Sequence, residues 1–243
     1  MPSTSETGHA KNVTHFEQLI SFCNGFGGNY NPSKATLTIP EITTLHATAQ
    51  TELQNVINLT VDYNNIVNTR AITFEPIRKL ATRLVNAFIV TDATTEMVKD
   101  AKTINRKIQG KRAKEIVTPT DPNTPSPNTI STSQQSYDQL IEHFSKLITL
   151  LKSEPSYNPN EADLRIPTLE ALLAKYRDDN TNVMNAYTQV SNARISRDVI
   201  LYKEKTGLVD TALEVRAYVK SVFGATSDQY TQVKNLAFKN IKR

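Results

Sequence analysis

The chain has 243 residues, with 28 lysines and arginines against 24 aspartates and glutamates, a formal net charge of +4. Apolar residues make up 38% and mean hydropathy is −0.42; no run of about 18 apolar residues exists, so membrane insertion as an apolar helix is excluded. One cysteine, Cys23, rules out an internal disulfide, and seven glycines, about 3% against a usual ~7%, disfavour a many-turned β-sandwich.

The first residues are small and polar, and residues 1–13 are expected to form a flexible leader. They lack a basic region followed by an apolar one, so no secretory signal is expected and a cytoplasmic location follows. Thr14-His15-Phe16-Glu17 fits a capping box and predicts a helix over 15–25. A loop follows, containing Tyr30-Asn31-Pro32. Thr38-Ile39-Pro40-Glu41 fits a second capping box, with proline tolerated in the first turn because its missing N–H had no partner there. From Ile42 the apolar residues fall at Leu45, Ala49, Leu53, Val56, Leu59, Tyr63 and Ile66, the step of one bundle-facing stripe. A long helix over 39–71 is predicted, ended by Pro76. Helices over 76–91 and 94–109 follow, the last with Gly110 as a left-handed cap.

Residues 117–135 are rich in proline, serine, threonine and asparagine and read as an extended linker. Ser136-Tyr137-Asp138-Gln139 is a third capping box, and helices are predicted over 137–152, 166–203, 208–223 and 227–241. Gly207 and Gly224 punctuate them.

The second series repeats the first. Tyr30–Pro40 and Tyr157–Pro167 are identical at seven of eleven positions, an offset of 157 − 30 = 127. The same offset pairs Leu45 with Leu172, Val56 with Val183, Asn65 with Asn192 and Arg70 with Arg197. Small gaps extend the match to Phe16–Ile20 with Tyr137–Ile141 and to Ala93-Thr94 with Ala225-Thr226. The expected fold is all-α: two tandem, internally duplicated helical bundles of about four helices each, elongated and up-down, able to pack with pseudo-twofold symmetry. The expected boundaries are 14–116 for the first bundle and 136–243 for the second.

Little in the sequence carries chemistry. His9, His15, His46 and His143 form no metal-ligand spacing and read as surface or half-buried structural residues. Cys23 reads as buried and inert. No metal, cofactor or catalytic residue is expected. Asn65 and Arg70, repeated as Asn192 and Arg197, read as a polar network within the bundles, with an anion pocket as the other reading. Tyr30 and Tyr157 read as loop anchors whose phenols reach the surface. Residues 99–114 hold seven basic residues against one acidic, and Lys99, Lys102, Arg106, Lys107, Lys111 and Arg112 are candidate polyanion contacts. Lys234, Lys239, Lys242 and Arg243 form a second basic end. Both stretches close a helix, where the dipole favours cations.

The function expected from these features is that of a non-enzymatic structural or interaction protein, a scaffold binding another protein or itself. A nucleic-acid-associated or other polyanion-binding role comes second, since no nucleic-acid motif and no aromatic interleaving accompany the basic residues. A conformationally switching, membrane-active helical protein comes third.

Overall fold

The computed structural model describes residues 6–111 and 135–241. All regular structure among them is helical. None of the described helices is long and apolar enough to cross a membrane. The linker expected at 117–135 lies, apart from Gln135, outside the described residues.

Helix α1 spans Thr7–Gly25. It therefore begins well before the expected residue 15, inside the stretch read as a flexible leader. Its first inward positions are the polar His9 and Asn12, which are buried, so apolar periodicity could not register them. Thr14 lies inside this helix and caps nothing. Helix α2 spans Ile39–Phe74, 36 residues and about 54 Å at 1.5 Å per residue. Thr38 does not form the expected capping box; its hydroxyl donates to the Ala35 carbonyl at 2.9 Å. Pro76 stands at the junction to α3, Ile77–Ile89.

Helix α4 spans Thr95–Ile108, capped by Thr94, whose side chain accepts from the Met97 amide. Gly110 takes φ +70° and closes it, with the Lys111 amide donating to the Arg106 carbonyl at 3.0 Å. Helix α5 spans Tyr137–Lys152, and the Ser136 hydroxyl accepts from the Gln139 amide as its capping box requires. Helix α6 spans Ile166–Tyr202. Helix α7 spans Leu208–Phe223, entered through Gly207, where a Cβ would lie 2.6 Å from the Lys203 nitrogen. Helix α8 spans only Asp228–Lys234, capped by Ser227. The expected continuation to 241 is instead extended. Arg216 donates to the Lys234 carbonyl at 2.7 Å, and Asn12 pairs with the backbone of Lys239, so side chains satisfy groups that a longer helix would have used.

Matching elements recur 127 residues apart. Short 3-10 turns occupy Ala35–Leu37 and Ala162–Leu164. The Tyr30 hydroxyl donates to the Leu37 carbonyl at 2.7 Å and the Tyr157 hydroxyl to the Leu164 carbonyl at 2.9 Å. Both tyrosines anchor their loops, but their phenols are buried rather than at the surface, because the acceptor carbonyls are themselves enclosed.

The chain forms two compact units, one of residues up to Asn64 with Ala186 onwards, the other of Asn65–Asn185. The unit boundaries fall inside α2 and α6 and not at the expected 116/136 division. The first unit buries Phe16, Leu19 and Cys23 of α1 with Ile42 of α2, Leu201 of α6, Leu208, Val215 and Val219 of α7, and Val233 of α8. Phe26 stacks near Phe223 and Tyr30 meets Tyr218 edge-on at 5.3 Å. The second unit buries Phe74 of α2, Ile77, Leu84 and Phe88 of α3, Ile108 of α4, Phe144, Leu147 and Leu151 of α5, and Leu169 and Tyr176 of α6. Phe74 sits 4.3 Å from the Tyr176 ring and 4.8 Å from Tyr137. Each core thus joins the opening helix of one sequence half to the closing helices of the other.

Candidate functional site

The repeated Asn/Arg positions do not converge. Five residues along a helix is 500°, or 140° around its axis, so Asn65 and Arg70 face different directions, as do Asn192 and Arg197. Asn65 and Asn192 are exposed. Arg70 is half-buried in the second unit, 3.9 Å over the Tyr137 ring, and donates from Nη1 to Asn180 Oδ1 at 2.7 Å. Asn180 in turn donates to Asp138 Oδ1 at 2.8 Å. Arg197 is fully buried in the first unit. Its Nε and Nη2 donate to Asp198 Oδ1 at 3.0 and 2.6 Å, and its Nη1 pairs with Glu6, the N-cap of α1. Both guanidinium groups tie a long helix to the first turn of α5 or the start of α1. The asparagine that completes Arg70's contacts is Asn180, which the repeat pattern does not mark.

The basic stretch forms a stripe on α4. At 100° per residue, Lys99, Lys102 and Arg106 fall within about 60° of one another, roughly opposite the buried Ala101 and Ile108. Lys99 is 3.9 Å from Glu96, both side chains well exposed. Lys102, Arg106 and Lys107 have no carboxylate partner among the described residues. Lys111 is exposed just beyond the Gly110 cap, and Arg112 lies outside the described residues. Of the second basic end, Lys242 and Arg243 lie outside them too.

Nucleophiles and bases are occupied with packing. Burial pushes the Cys23 thiol up to about 12, against a smaller opposing effect of its hydrogen bond with Tyr30. Three of the four histidines, His9, His46 and His143, are buried, deeper than their sequence context suggests. The His143 pKa is lowered by burial first and then by the charge of Lys107. Among the described residues, no three His, Cys, Asp or Glu side chains lie close enough to hold a metal ion. Grooves of about 480 and 430 Å³ run along α2, one lined by Val13, Gln50, Leu53 and Ile57, the other by threonines with Glu52. Neither gathers an acid, a base and a nucleophile.

A different feature distinguishes the first unit. Ile57 and Val61 of α2, one turn apart, are 46% and 52% exposed, and Tyr187, Ile195 and Val199 of α6 are 59%, 61% and 48% exposed. On α6 these three centre about 160° from the buried stripe of Ala186, Val190, Ala193 and Arg197. Ile195 and Val199 are therefore outward-facing, whereas Tyr187 lies about 90° from the stripe, at the margin of the core, with its ring 6.1 Å from that of Tyr63. A shallow groove lined by Asn55, Leu59, Gln189, Asn192, Ala193 and Ser196 lies between the two helices, on the side of α2 away from Ile57 and Val61. Its lining carries no charge. The sequence holds the matching signal: Leu53 to Thr69 contains one charged residue, Asp62, and Asn180 to Ala193 contains none, in a chain that is 21% charged. Apolar periodicity alone did not reveal it, because the missing property was charge on the solvent side. A scan against protein-family models and searches of curated proteins and of solved structures give no match to this chain.

Proposed function

We propose that this chain is a non-enzymatic helical interaction scaffold. It engages a protein partner that presents an apolar helix face to α6 of the first unit. The observation that carries the reading is the outward pair Ile195 and Val199 of α6, 61% and 48% exposed, which follows the uncharged run from Asn180 to Ala193. Interface cores are depleted of charge and enriched in aromatic and apolar residues, because every buried ion must be desolvated.

The internal duplication belongs to the same reading. The two buried tyrosine–carbonyl bonds, the paired 3-10 turns and the Thr94 and Ser227 caps support it. Cytoplasmic residence is also part of it, supported by a single cysteine that is buried.

The test compares wild type with Ile195→Glu/Val199→Glu in affinity capture from nuclease-treated lysate, with light-scattering mass measurement of the purified chain alongside. The reading expects capture or self-association that survives nuclease and is lost in the double variant. Partners or a dimer that the double variant retains would overturn it.

A second reading rests on the stripe of exposed Lys99 and Lys102 with half-buried Arg106, which would contact a polyanion such as nucleic acid. Three phosphate contacts would give a log affinity that falls with log salt at a slope of about −3, reduced by Lys102→Ala/Arg106→Ala. Binding insensitive to salt would remove this reading.

A further inference from the structure

The segment 235–241 is neither helical nor paired in a sheet, yet side chains of α1 and α7 bind its backbone at the Leu236, Ala237 and Lys239 carbonyls. Arg216 of α7 donates from Nη2 to the Lys234 carbonyl at 2.7 Å and from Nη1 to the Leu236 carbonyl at 3.4 Å. His15 of α1 lies with Nδ1 2.7 Å from the Ala237 carbonyl. A carbonyl only accepts, so this ring carries its proton on Nδ1. Asn12, one turn earlier, donates from Nδ2 to the Lys239 carbonyl at 2.8 Å and accepts from the Lys239 amide at 3.0 Å. Its carboxamide thus replaces the edge of a β-strand. The apolar side chains of the segment supply the remainder. Leu236 and Phe238 pack against the core, and Phe238 meets Phe16 edge-on at 6.5 Å. Ile241 fills the space where a Cβ on Gly8 would sit, 2.5 Å away. Ala237, Lys239 and Asn240 are exposed.

One of the recognising groups, Asn12, is also held from outside the segment. Asn12 is buried at 2% exposure. Its second Nδ2 hydrogen goes to the Tyr202 oxygen at 3.3 Å, which leaves the Tyr202 hydroxyl to donate to His9 Nδ1 at 2.7 Å. The bond to Tyr202 of α6 thus favours the carboxamide orientation that faces the Lys239 backbone. Removing the segment would expose the Asn12 carboxamide oxygen and one N–H to water, and an incoming extended backbone would exchange that water for the same paired hydrogen bonds.

The geometry points to a peptide-binding groove formed by α1 and α7. It takes an extended segment with apolar residues at positions 1, 3 and 6, and the chain's own residues 236, 238 and 241 occupy it in cis. Main-chain hydrogen bonds give the affinity and the apolar positions give the selectivity, as in other extended-peptide recognition. A protein partner presenting that pattern competes with the internal segment, whose effective concentration is on the order of 1 mM. This inference goes beyond the scaffold reading and uses a different face.

The experiment measures fluorescence anisotropy of a labelled Asn-Leu-Ala-Phe-Lys-Asn-Ile peptide with the full chain. Wild type is expected to bind it weakly. Phe238→Asp, which expels the internal segment, is expected to bind at least tenfold more tightly, and Asn12→Leu in that background is expected to abolish the gain. A peptide with proline in place of its lysine lacks the N–H that Asn12 accepts, and is expected not to bind. Lys239→Pro in the full chain is a second route to the open groove. Absence of a gain in both opened variants with helical circular dichroism intact would overturn the inference. So would loss of helical structure in both, since the segment would then be an obligatory part of the core.

Discussion

Arg197→Met isolates the most deeply buried charge in the described structure. Arg197 is fully buried and binds Asp198 Oδ1 twice, at 3.0 and 2.6 Å, besides pairing with Glu6. Removing one partner of a buried pair costs about 3–5 kcal/mol when the other is stranded without water. Here the Glu6 and Asp198 side chains keep 24% and 28% exposure, so both carboxylates can rehydrate. Methionine also retains most of the aliphatic packing. The expected cost is therefore nearer ~3 kcal/mol, the bottom of that range. Arg70, the matching residue 127 positions earlier, donates to neutral Asn180 and lies over Tyr137. One charged hydrogen bond and a partly exposed cation–π contact together make Arg70→Met cost about 2 kcal/mol, the sum of the lower values of the two. For a chain of this size each kcal/mol moves Tm by about 2–4 °C, so thermal melts followed by circular dichroism should fall by about 9 °C for Arg197→Met and about 6 °C for Arg70→Met. Glu6→Gln combined with Arg197→Met should cost measurably less than the sum of the single changes, because the two side chains share one contact. An equal or larger loss for Arg70→Met, or strict additivity in the Glu6/Arg197 cycle, would refute this account.

Acid titration should expose His143, which is buried with neither ring nitrogen hydrogen-bonded. Its pKa is lowered from 6.5 by burial and then by Lys107, with Lys146 adding and Glu142 opposing. The unfolded chain takes up the proton first, so this contribution is present above about 6.5 and is lost as pH falls through the lowered folded value. Urea midpoints should show the loss, and His143→Leu should remove that part of the pH dependence. Cys23, with its thiol raised to about 12, should react with a disulfide reagent at pH 8 at least ~100-fold more slowly in the native chain than in denaturant. Equal rates would show that the thiol is accessible. Tyr30→Phe and Tyr157→Phe should each cost about 1 kcal/mol in chemical denaturation, because each leaves a carbonyl without its buried donor. Clearly unequal losses would mean that the two loops are not held alike. Gly207→Ala should destabilise by more than the ~1 kcal/mol that an exposed helix would gain from alanine, since the new Cβ meets Lys203 backbone at 2.6 Å.

What the sequence determined was local. The 3.6-residue stripe of α2 and α6, the break at Pro76, the positive-φ closures at Gly110 and Gly224 and the Ser136 cap all depend on neighbours within a few residues. The recurrence of Tyr30–Pro40 at Tyr157–Pro167 was equally legible, since identity at a fixed offset requires no coordinates. Less visible was any contact whose partner is far along the chain. Nothing near Thr7 announces a helix, because His9 and Asn12 become good inward residues only when Tyr202 and Lys239 arrive. Residues 235–241 read as helix by composition and charge, and are extended because Asn12, His15 and Arg216 offer their backbone better-placed partners. The repeat itself did not say which helices share a core. That depended on long-range packing: Leu19 of α1 is buried with Val219 of α7, and Phe74 at the end of α2 with Tyr176 of α6, so each compact unit draws on both halves of the sequence. Periodicity states that a face must be covered, and only the tertiary structure decides by what, because apolar burial is non-directional and any matching stripe satisfies it equally.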